Sequence, residues 1–452
     1  MITDDATSLA SQLSAGKVTA VELANRALGR IAEENARIRA FITTLPETAA
    51  AEATASDARR QEGKTLGPLD GVPFAVKDNI AIAGVPTSCG TGAAFEPSAT
   101  DATTVGRLRA AGAVLIGSLN LHEGALGATT DNPFHGQCQN PLAAHHTPGG
   151  SSGGSAAAIA AGMVPLSLGT DTMGSVRIPA AYCGLWGLKP SCGRIPVSGL
   201  VHLSWTLDTI GPLARSADDL ALMFAALQGH DPLDPTSTAQ SVPCHESVTL
   251  GGLRLGIPDI AALADCEPII SATFSQAIEA LRAAGMDVAA VEIAGWEPGK
   301  LRRAGLLVSE VEGATVLGDA VDRPGLSVPF RAMLDYGRKA SAARVASAYR
   351  ALQHAGVAAR NSLTGVDALI MPTAPQRAFA HSAPTPANQA DFTALANAAG
   401  LPALSLPLPA TDGGLPAALQ LVGPWGSDER LIEIGALVAR LIPRDGGNAE
   451  AT

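Results

Sequence analysis

The chain has 452 residues, of which 46% are hydrophobic, 16% are charged and 4% are aromatic. This composition argues against a disordered chain and predicts a large core built mainly from aliphatic side chains. The 42 acidic residues outnumber the 31 basic ones and give a net charge of −11, which argues against a nucleic-acid-binding protein, because such proteins need a basic face.

The sequence predicts a cytoplasmic protein without a membrane segment. Residues 1–5 are acidic and lack the basic and apolar regions of a secretory signal, and no run of 18 apolar residues occurs. The six cysteines form no C-x-x-C pair, and cysteines spread so thinly along a chain are typical of reduced thiols.

Helices are predicted for most of the first 60 residues. Residues 19–22 form a capping box that opens one helix, and a second, Ala-rich helix is predicted over 47–62. Strand and helix signals then alternate. Strands are predicted at 72–76, 114–116, 164–168 and 184–188, and helices are predicted to begin at Asp101, Ser155 and Ser216.

The second half of the chain continues the pattern after a polar connection at 230–251. A further strand–helix–strand unit and longer helices are expected within 252–363. Strands at 366–371, 403–406 and 419–422 and a helix over 428–441 follow, and residues 444–452 are interpreted as a frayed tail. Alternating strands and helices argue for an α/β protein with a mostly parallel or mixed sheet.

A run of four glycines and three serines, GGSSGGS, occupies residues 149–155. Gly/Ser runs are usually flexible linkers, but this one lies inside a core pattern and opens a helix. It lacks the G-K-[ST] ending of a phosphate-binding loop. A loop that carries a catalytic serine is the third interpretation.

The same run matches G-x-S-x-G, the nucleophile elbow of α/β-hydrolases, with Ser151 as the nucleophile of an esterase. An elbow requires a strand directly before the serine. Residues 145–148 are polar and include a proline, which is not typical of a buried strand.

Two further segments carry reactive side chains. A polar turn with Ser175 follows the predicted strand 164–168, and its backbone N–H groups are candidates for stabilising an oxyanion. Lys77 ends the predicted strand 72–76, where a lone charge is usually just a solvated strand terminus.

Together, the segment around Lys77, the run 149–155 and residues 171–180 resemble the amidase signature family in both order and separation. The resemblance extends over residues 6–441. It implies an α/β fold in which a mixed, twisted β-sheet is covered on both faces by α-helices, in a single domain spanning 1–452. Within that domain we expect a helical layer at 1–65, the motif core at 66–228, a helical block at 229–363, core strands and a helix at 364–441, and a tail at 442–452.

The resemblance also implies roles for individual residues. Ser175 corresponds to the nucleophile, Ser151 to a bridging serine that follows a cis peptide bond, and Lys77 to the base. The residues expected to orient them are Ser152, Thr170, Asp171 and Arg177, and the backbone amides expected to form the oxyanion hole are those of Thr172, Met173, Gly174 and Ser175.

A lysine can act as a base only when it is neutral. Lowering its pKa from about 10.4 to about 7–8 requires roughly 3–4 kcal/mol of destabilisation of the ammonium, which burial in an apolar core supplies. We expect neither a metal nor a cofactor to take part.

The chain departs from the family pattern near the expected substrate pocket. Met173 replaces a common glycine and is interpreted either as a pocket-lining residue or as a filler of the core. Gly124 replaces a bulky apolar residue and is expected to widen the site. These two residues and Leu126 are the predicted substrate pocket.

Three functions are compatible with the sequence. The first is an amidase that acts on a small or medium carboxamide, with a weak similarity to the carboxybiuret hydrolase group. The second is the glutaminase component of an aminoacyl-tRNA amidotransferase, although the Arg and the acid that its glutamine pocket needs are not located. The third is a scaffold without activity, against which the intact Lys77, Ser151 and Ser175 argue. A homodimer is the expected assembly.

Overall fold

The computed structural model describes residues 2–93, 95–240, 248–258, 265–408, 412 and 414–443. Within these residues, eleven strands form one mixed β-sheet. In chain order they are β1 (Phe41–Thr44), β2 (Pro73–Lys77), β3 (Val114–Leu119), β4 (Leu166–Asp171), β5 (Trp186–Lys189), β6 (Thr209–Ala214), β7 (Arg254–Pro258), β8 (Asp287–Val291), β9 (Ala368–Pro372), β10 (Ala403–Leu408) and β11 (Ala417–Val422).

The strand order in the sheet is β1-β3-β2-β4-β6-β5-β10-β11-β9-β7-β8. Two parallel groups, β3-β2-β4 and β9-β7-β8, lie on either side of an antiparallel centre. The sheet contains strands from each of the four predicted blocks that precede the tail, and the block boundaries themselves stay predictions.

The helices cover both faces of the sheet. Every residue of β2 to β6 is buried, and since successive side chains of a strand point to opposite faces, neither face of this region is open to solvent. The described α-helices are α1 (Ala6–Ser14), α2 (Ala20–Ile38), α3 (Pro46–Gln61), α4 (Thr103–Ala110), α5 (Gly153–Ala160), α6 (Arg177–Tyr182), α7 (Ala217–Leu227), α8 (Pro268–Ala283), α9 (Pro298–Leu317), α10 (Val328–Arg338), α11 (Ala342–Ser362), α12 (Ala394–Ala399) and α13 (Asp428–Leu441). The predicted fold class is confirmed.

The predicted N-terminal caps of two helices have different outcomes in the structure. The predicted capping box opens α2: Thr19 Oγ1 accepts from the Glu22 N–H at 3.1 Å, and the Glu22 carboxylate accepts from the Thr19 N–H at 2.9 Å. The predicted cap at Asp101 is wrong. Its carboxylate accepts from the Ala83 N–H at 2.8 Å and pairs with Arg109 at 2.7 Å, so α4 begins two residues later without a side-chain cap.

The structure contains two strands, β1 and β6, that the sequence patterns do not predict. β1 interrupts the N-terminal helices, and β6 contains a glycine and a proline that weaken its strand pattern. Part of the polar connection at 230–251 and the predicted frayed tail at 444–452 lie outside the described residues. None of the helices in the described parts of the chain has both the length and the apolar character needed to cross a membrane.

The topology brings two strand ends together. β2 and β4 are parallel neighbours, so their carboxyl ends lie at the same edge of the sheet. Lys77 is the last residue of β2 and Asp171 is the last residue of β4. The turn at 172–176 leads from β4 into α6 at this edge.

Candidate active site

Lys77 is fully buried at the end of β2. Its Nζ lies 2.6 Å from Ser151 Oγ and 2.7 Å from Thr170 Oγ1, and both hydroxyl-bearing side chains are themselves buried. Within the described residues, Nζ has no carboxylate at ion-pair distance. The side chains of Lys77 and Ser151, which are predicted to lie close together, are therefore in direct contact.

Burial controls the charge of this amine. It lowers the pKa of Lys77 from 10.5 to about 7, while the negative charges of Asp208 and Asp171 act in the opposite direction. A sizeable fraction of the amine is thus neutral near pH 7, as a base requires.

Ser151 lies in a loop between β3 and α5, and the Gly150–Ser151 peptide bond is cis. The residues directly before it are loop and turn rather than a strand. The strand–serine–helix geometry of a nucleophile elbow is therefore missing. The next residue, Ser152, fixes this loop to β4, since its Oγ donates to the Thr170 carbonyl at 3.1 Å and accepts from the Thr170 N–H at 3.2 Å.

Ser175 lies on the turn between β4 and α6 and is half-buried. Its carbonyl accepts from the Ser152 N–H at 3.2 Å, which places the two serine segments side by side. No hydrogen bond to the Ser175 hydroxyl is found among the described residues. The side chain that the sequence assigns as nucleophile is thus more exposed than Lys77 and Ser151.

The turn is shaped by the Asp171 carboxylate, which accepts from the Gly174 N–H at 2.7 Å and from the Val176 N–H at 3.1 Å. Arg177 pairs with the same carboxylate at 2.8 Å, and both side chains are fully buried. Although burial favours the neutral acid, this pairing and the Asn397 amide hold the pKa of Asp171 well below its usual range.

Arg177 also ties the turn to the C-terminal part of the chain. Its guanidinium donates to the Thr393 carbonyl at 2.9 Å, to Gln420 at 2.5 Å and to Asn397 at 2.6 Å. The guanidinium is thereby occupied by acceptors, so it serves as an anchor within the fold.

The expected oxyanion hole needs one correction. The Gly174 amide already donates to Asp171 and is not available to a substrate oxygen. The amides of Thr172, Met173 and Ser175 have no acceptor among the described residues. These three remain the candidate donors.

The predicted substrate pocket also needs correction. A side chain at Gly124 would meet the Phe330 ring at 2.0 Å, so Phe330 fills the space that the glycine leaves, and the site is not widened. Leu126 is buried in an apolar cluster that includes Phe330. Met173 is half-buried with its sulfur against Gly305 of α9, and it packs on the apolar cluster beneath that helix.

Two polar residues at the site have no role assigned from the sequence. Asn79 Nδ2 donates to Thr170 Oγ1 at 3.2 Å, and the Asp208 carboxylate accepts from the Thr172 hydroxyl at 2.6 Å. Asn79 lies only two residues after Lys77, and this closeness is the sequence feature that could have identified it as a site residue. No sequence pattern links Asp208 to Thr172, since a strand pairing brings them together.

Comparisons with known proteins show the family to which the chain belongs. A family model described as Amidase matches residues 22–432. The glutamyl-tRNA(Gln) amidotransferase A subunit from Chloroflexus aurantiacus is 39% identical over 469 aligned positions, which cover 96% of each chain.

Two solved structures are similar over nearly their whole length. One comes from work on a vestigial protein complex and the evolutionary origins of an s-triazine catabolic enzyme; its TM-score is 0.90 at 33% identity, covering 97% of this chain and 98% of that chain. The other, an amidase crystal structure, has a TM-score of 0.87 at 31% identity, covering 97% and 100%. The resemblance predicted from the sequence is confirmed, and the chain belongs to the amidase family of enzymes that hydrolyse amide C–N bonds.

Proposed function

We propose that this protein cleaves a small or medium carboxamide through a serine–serine–lysine relay and an acyl-enzyme. The observation that carries the proposal is the contact of 2.6 Å between the buried Lys77 Nζ and Ser151 Oγ. A serine hydroxyl is a weak nucleophile that needs a base, and a neutral lysine held this way supplies one.

In the proposed first step, Ser175 Oγ attacks the carbonyl carbon of the amide. The Ser175 proton passes to Ser151 Oγ as the Ser151 proton passes to Lys77 Nζ. The carbonyl oxygen becomes an oxyanion, which the amides of Thr172, Met173 and Ser175 stabilise.

The second step runs the protons backward. The Lys77 ammonium returns its proton through Ser151 to the amide nitrogen, the C–N bond breaks, and ammonia or an amine leaves. Water then attacks the Ser175 ester while the same relay accepts one of its protons. The ester C–O bond breaks, the relay returns that proton to Ser175 Oγ, and the carboxylic acid leaves. Every proton transfer in this scheme uses a group of the chain itself.

A fluorophosphonate probe tests the assignment of the nucleophile. We expect the probe to label Ser175, and we expect Ser175→Ala to lower kcat by about 10⁴–10⁶-fold, as for other serine hydrolases that lose their nucleophile. Because the Ser175 hydroxyl has no hydrogen-bond partner among the described residues, the variant should unfold at the wild-type temperature. Labelling at Ser151 instead would support the esterase interpretation.

A second candidate function is that of the glutaminase component of a tRNA-dependent amidotransferase. It is favoured by the 39% identity to the Chloroflexus aurantiacus protein over nearly the whole of both chains. This function requires protein partners, whereas a stand-alone amidase does not.

Ammonia release separates the two functions. The purified chain should be given a panel of simple amides, ureides and glutamine, with and without the other amidotransferase components. Release from simple amides by the chain alone supports the amidase. Release from glutamine only when the other components are present supports the second candidate. The link to the carboxybiuret hydrolase group, the homodimer and the cytoplasmic location stay predictions.

A further inference from the structure

Glu312 on α9 carries a carboxyl group that is buried without a cation. Its side chain has a solvent exposure of 0%, and no ion pair to it occurs among the described residues. Its oxygens accept instead from the hydroxyls of Ser204, Thr206 and Tyr349, each at 2.5 Å, and from the Thr206 N–H at 3.1 Å. An apolar side chain often packs at least as well in such a place, so Glu312 is a candidate for a role beyond packing.

The donors to Glu312 join α9 to the loop 202–208. Ser204 is fully buried and reaches two carboxyl groups at once, because its hydroxyl donates to Glu312 and its N–H donates to Asp208 Oδ2 at 3.0 Å. The Leu203 N–H donates to the same Asp208 oxygen at 2.9 Å. The loop is thus hydrogen-bonded to both acidic side chains.

Asp208 extends this connection to the turn at 172–176. Its Oδ1 accepts from the Thr172 hydroxyl at 2.6 Å. The Thr172 amide is one of the three candidate donors of the oxyanion hole, and the hydroxyl anchors the residue that carries this amide. Hydrogen bonds therefore connect Glu312 with Thr172 through two intermediate residues, Ser204 and Asp208.

The other anchor of the turn acts at a different place. The Asp171 carboxylate accepts from the amides of Gly174 and Val176, which follow Thr172 in the chain. Among the described residues, the acceptor that holds the Thr172 side chain is Asp208. The start of the turn therefore depends on the connection to α9.

We infer that Glu312 is a positioning residue that fixes the Thr172 amide in the oxyanion hole by holding the loop 202–208. Donors stabilise an oxyanion well when they already point at its position before the reaction, and a misplacement of about 1 Å costs a large part of the rate. This inference rests on the proposed amidase function.

Glu312→Gln tests the inference, because it keeps the shape of the side chain but replaces one acceptor oxygen with an –NH2 group. We expect kcat for an amide substrate to fall about 10–100-fold, somewhat less than for complete loss of an oxyanion donor, with KM within about twofold of wild type. The loss falls on kcat because the oxyanion forms only during the reaction. An unchanged kcat would overturn the inference.

Asp219→Asn is the matched control. Asp219 is also fully buried without an ion pair among the described residues, and it accepts from the N–H groups of Ala6 and Thr7 at 2.9 Å and from the Thr7 hydroxyl at 3.1 Å. None of these groups belongs to the turn. We expect both variants to lower the thermal midpoint by a similar amount, and only Glu312→Gln to lower kcat. An equal loss of kcat in the two variants would refute a positioning role.

A double-mutant cycle tests the route from Glu312 to the turn. Thr172→Val removes the hydroxyl that Asp208 accepts from but keeps the Thr172 amide. If Glu312 acts through this hydroxyl, Glu312→Gln should cause a further loss of kcat of less than about twofold in the Thr172→Val background. Losses that multiply in the double variant would overturn the inference.

Ser204→Ala is a milder variant that serves if Glu312→Gln does not fold. It removes the bond to Glu312 and keeps the N–H that donates to Asp208. We expect kcat to fall about threefold to tenfold, the size of one hydrogen bond. Ser191→Ala removes another buried hydroxyl that donates to a carboxylate, that of Asp428 at 2.7 Å, and should keep the wild-type kcat. Equal kcat in these two variants would count against Glu312.

The rate of labelling by a fluorophosphonate separates this inference from the proposed function. In that reaction Ser175 Oγ bonds to phosphorus, fluoride leaves, the Ser175 proton passes through Ser151 to Lys77, and the phosphoryl oxygen takes the position of the oxyanion. If no amide of the panel is hydrolysed, Glu312→Gln should still be labelled about tenfold more slowly than Asp219→Asn. Equal labelling rates would overturn the inference whether or not amides are substrates.

Discussion

Lys77 and Arg177 are two buried basic side chains near the turn at 172–176, and they differ in their partners. Arg177 is paired with the Asp171 carboxylate at 2.8 Å and donates to three further acceptors. Lys77 contacts only the hydroxyls of Ser151 and Thr170 among the described residues. Both side chains have a solvent exposure of 0%.

From this difference we expect a structural role for Arg177 and a chemical role for Lys77. A buried cation that keeps a carboxylate partner stays charged, and its hydrogen bonds hold the turn to the fold. A buried amine without such a partner gives up its proton near neutral pH, so it can accept one from a serine. We therefore expect substitution of Lys77 to lower kcat and substitution of Arg177 to lower the free energy of unfolding.

The largest expected effect is that of Lys77→Met. Removal of the base should lower kcat by about 10⁴-fold, the upper end for general-base catalysis. The thermal midpoint should not fall, because the variant removes a desolvated amine. Amide turnover and thermal unfolding of the same preparation check both statements.

Lys189 offers a matched control for this variant. It is also fully buried at the end of a strand, and burial lowers its pKa to about 8, but its Nζ contacts the Pro190 carbonyl instead of a serine. Lys189→Met should keep kcat within about tenfold of wild type, a change that matches the loss of one hydrogen bond. An equal loss in the two variants would show that burial of any lysine, and not the contact with Ser151, is what matters.

The next effect concerns stability. Arg177→Met leaves Asp171 as an unpaired buried charge and should lower the free energy of unfolding by about 3–5 kcal/mol. Denaturant unfolding measures this loss. The double variant with Asp171→Asn should recover part of it, and wild-type stability of the single variant would refute the role of the ion pair.

The smallest effect is that of Thr170→Val, which keeps the shape but removes one hydroxyl beside Lys77. We expect kcat to fall about tenfold, since one hydrogen bond contributes about 1–1.5 kcal/mol. Ser167→Ala on the same strand is the control, because that hydroxyl donates to the Ser155 carbonyl and not to the relay. Comparable losses in both variants would mean that β4 is simply perturbed.

Much of the fold follows from local patterns in the sequence. The capping box of α2 and the Ser216 cap of α7 are set by neighbouring residues and match the prediction. β6 escapes prediction, because its Gly211 and Pro212 are held in a strand by pairing with β4 and β5 rather than by their own preference. The same applies to β1, whose residues pair with β3.

Some features of the site could likewise be predicted from local sequence, and others could not. Lys77 and Ser151 lie in recognisable local segments, and their contact agrees with the prediction. The space beside Gly124 could not be predicted, because the Phe330 ring that fills it comes from a helix more than 200 residues later in the chain. The contact between Thr172 and Asp208 likewise joins residues that are 36 positions apart in the chain.

The most direct test of the account is the titration of Lys77 itself. Lysine labelled at Cε or Nζ can be followed by NMR, with the resonance assigned by its loss in Lys77→Met. We predict a pKa of about 7 for Lys77, and we expect kcat/KM to rise as the pH passes upward through this value because the amine becomes neutral. A Lys77 resonance that titrates near the ordinary value of 10.5 would contradict it.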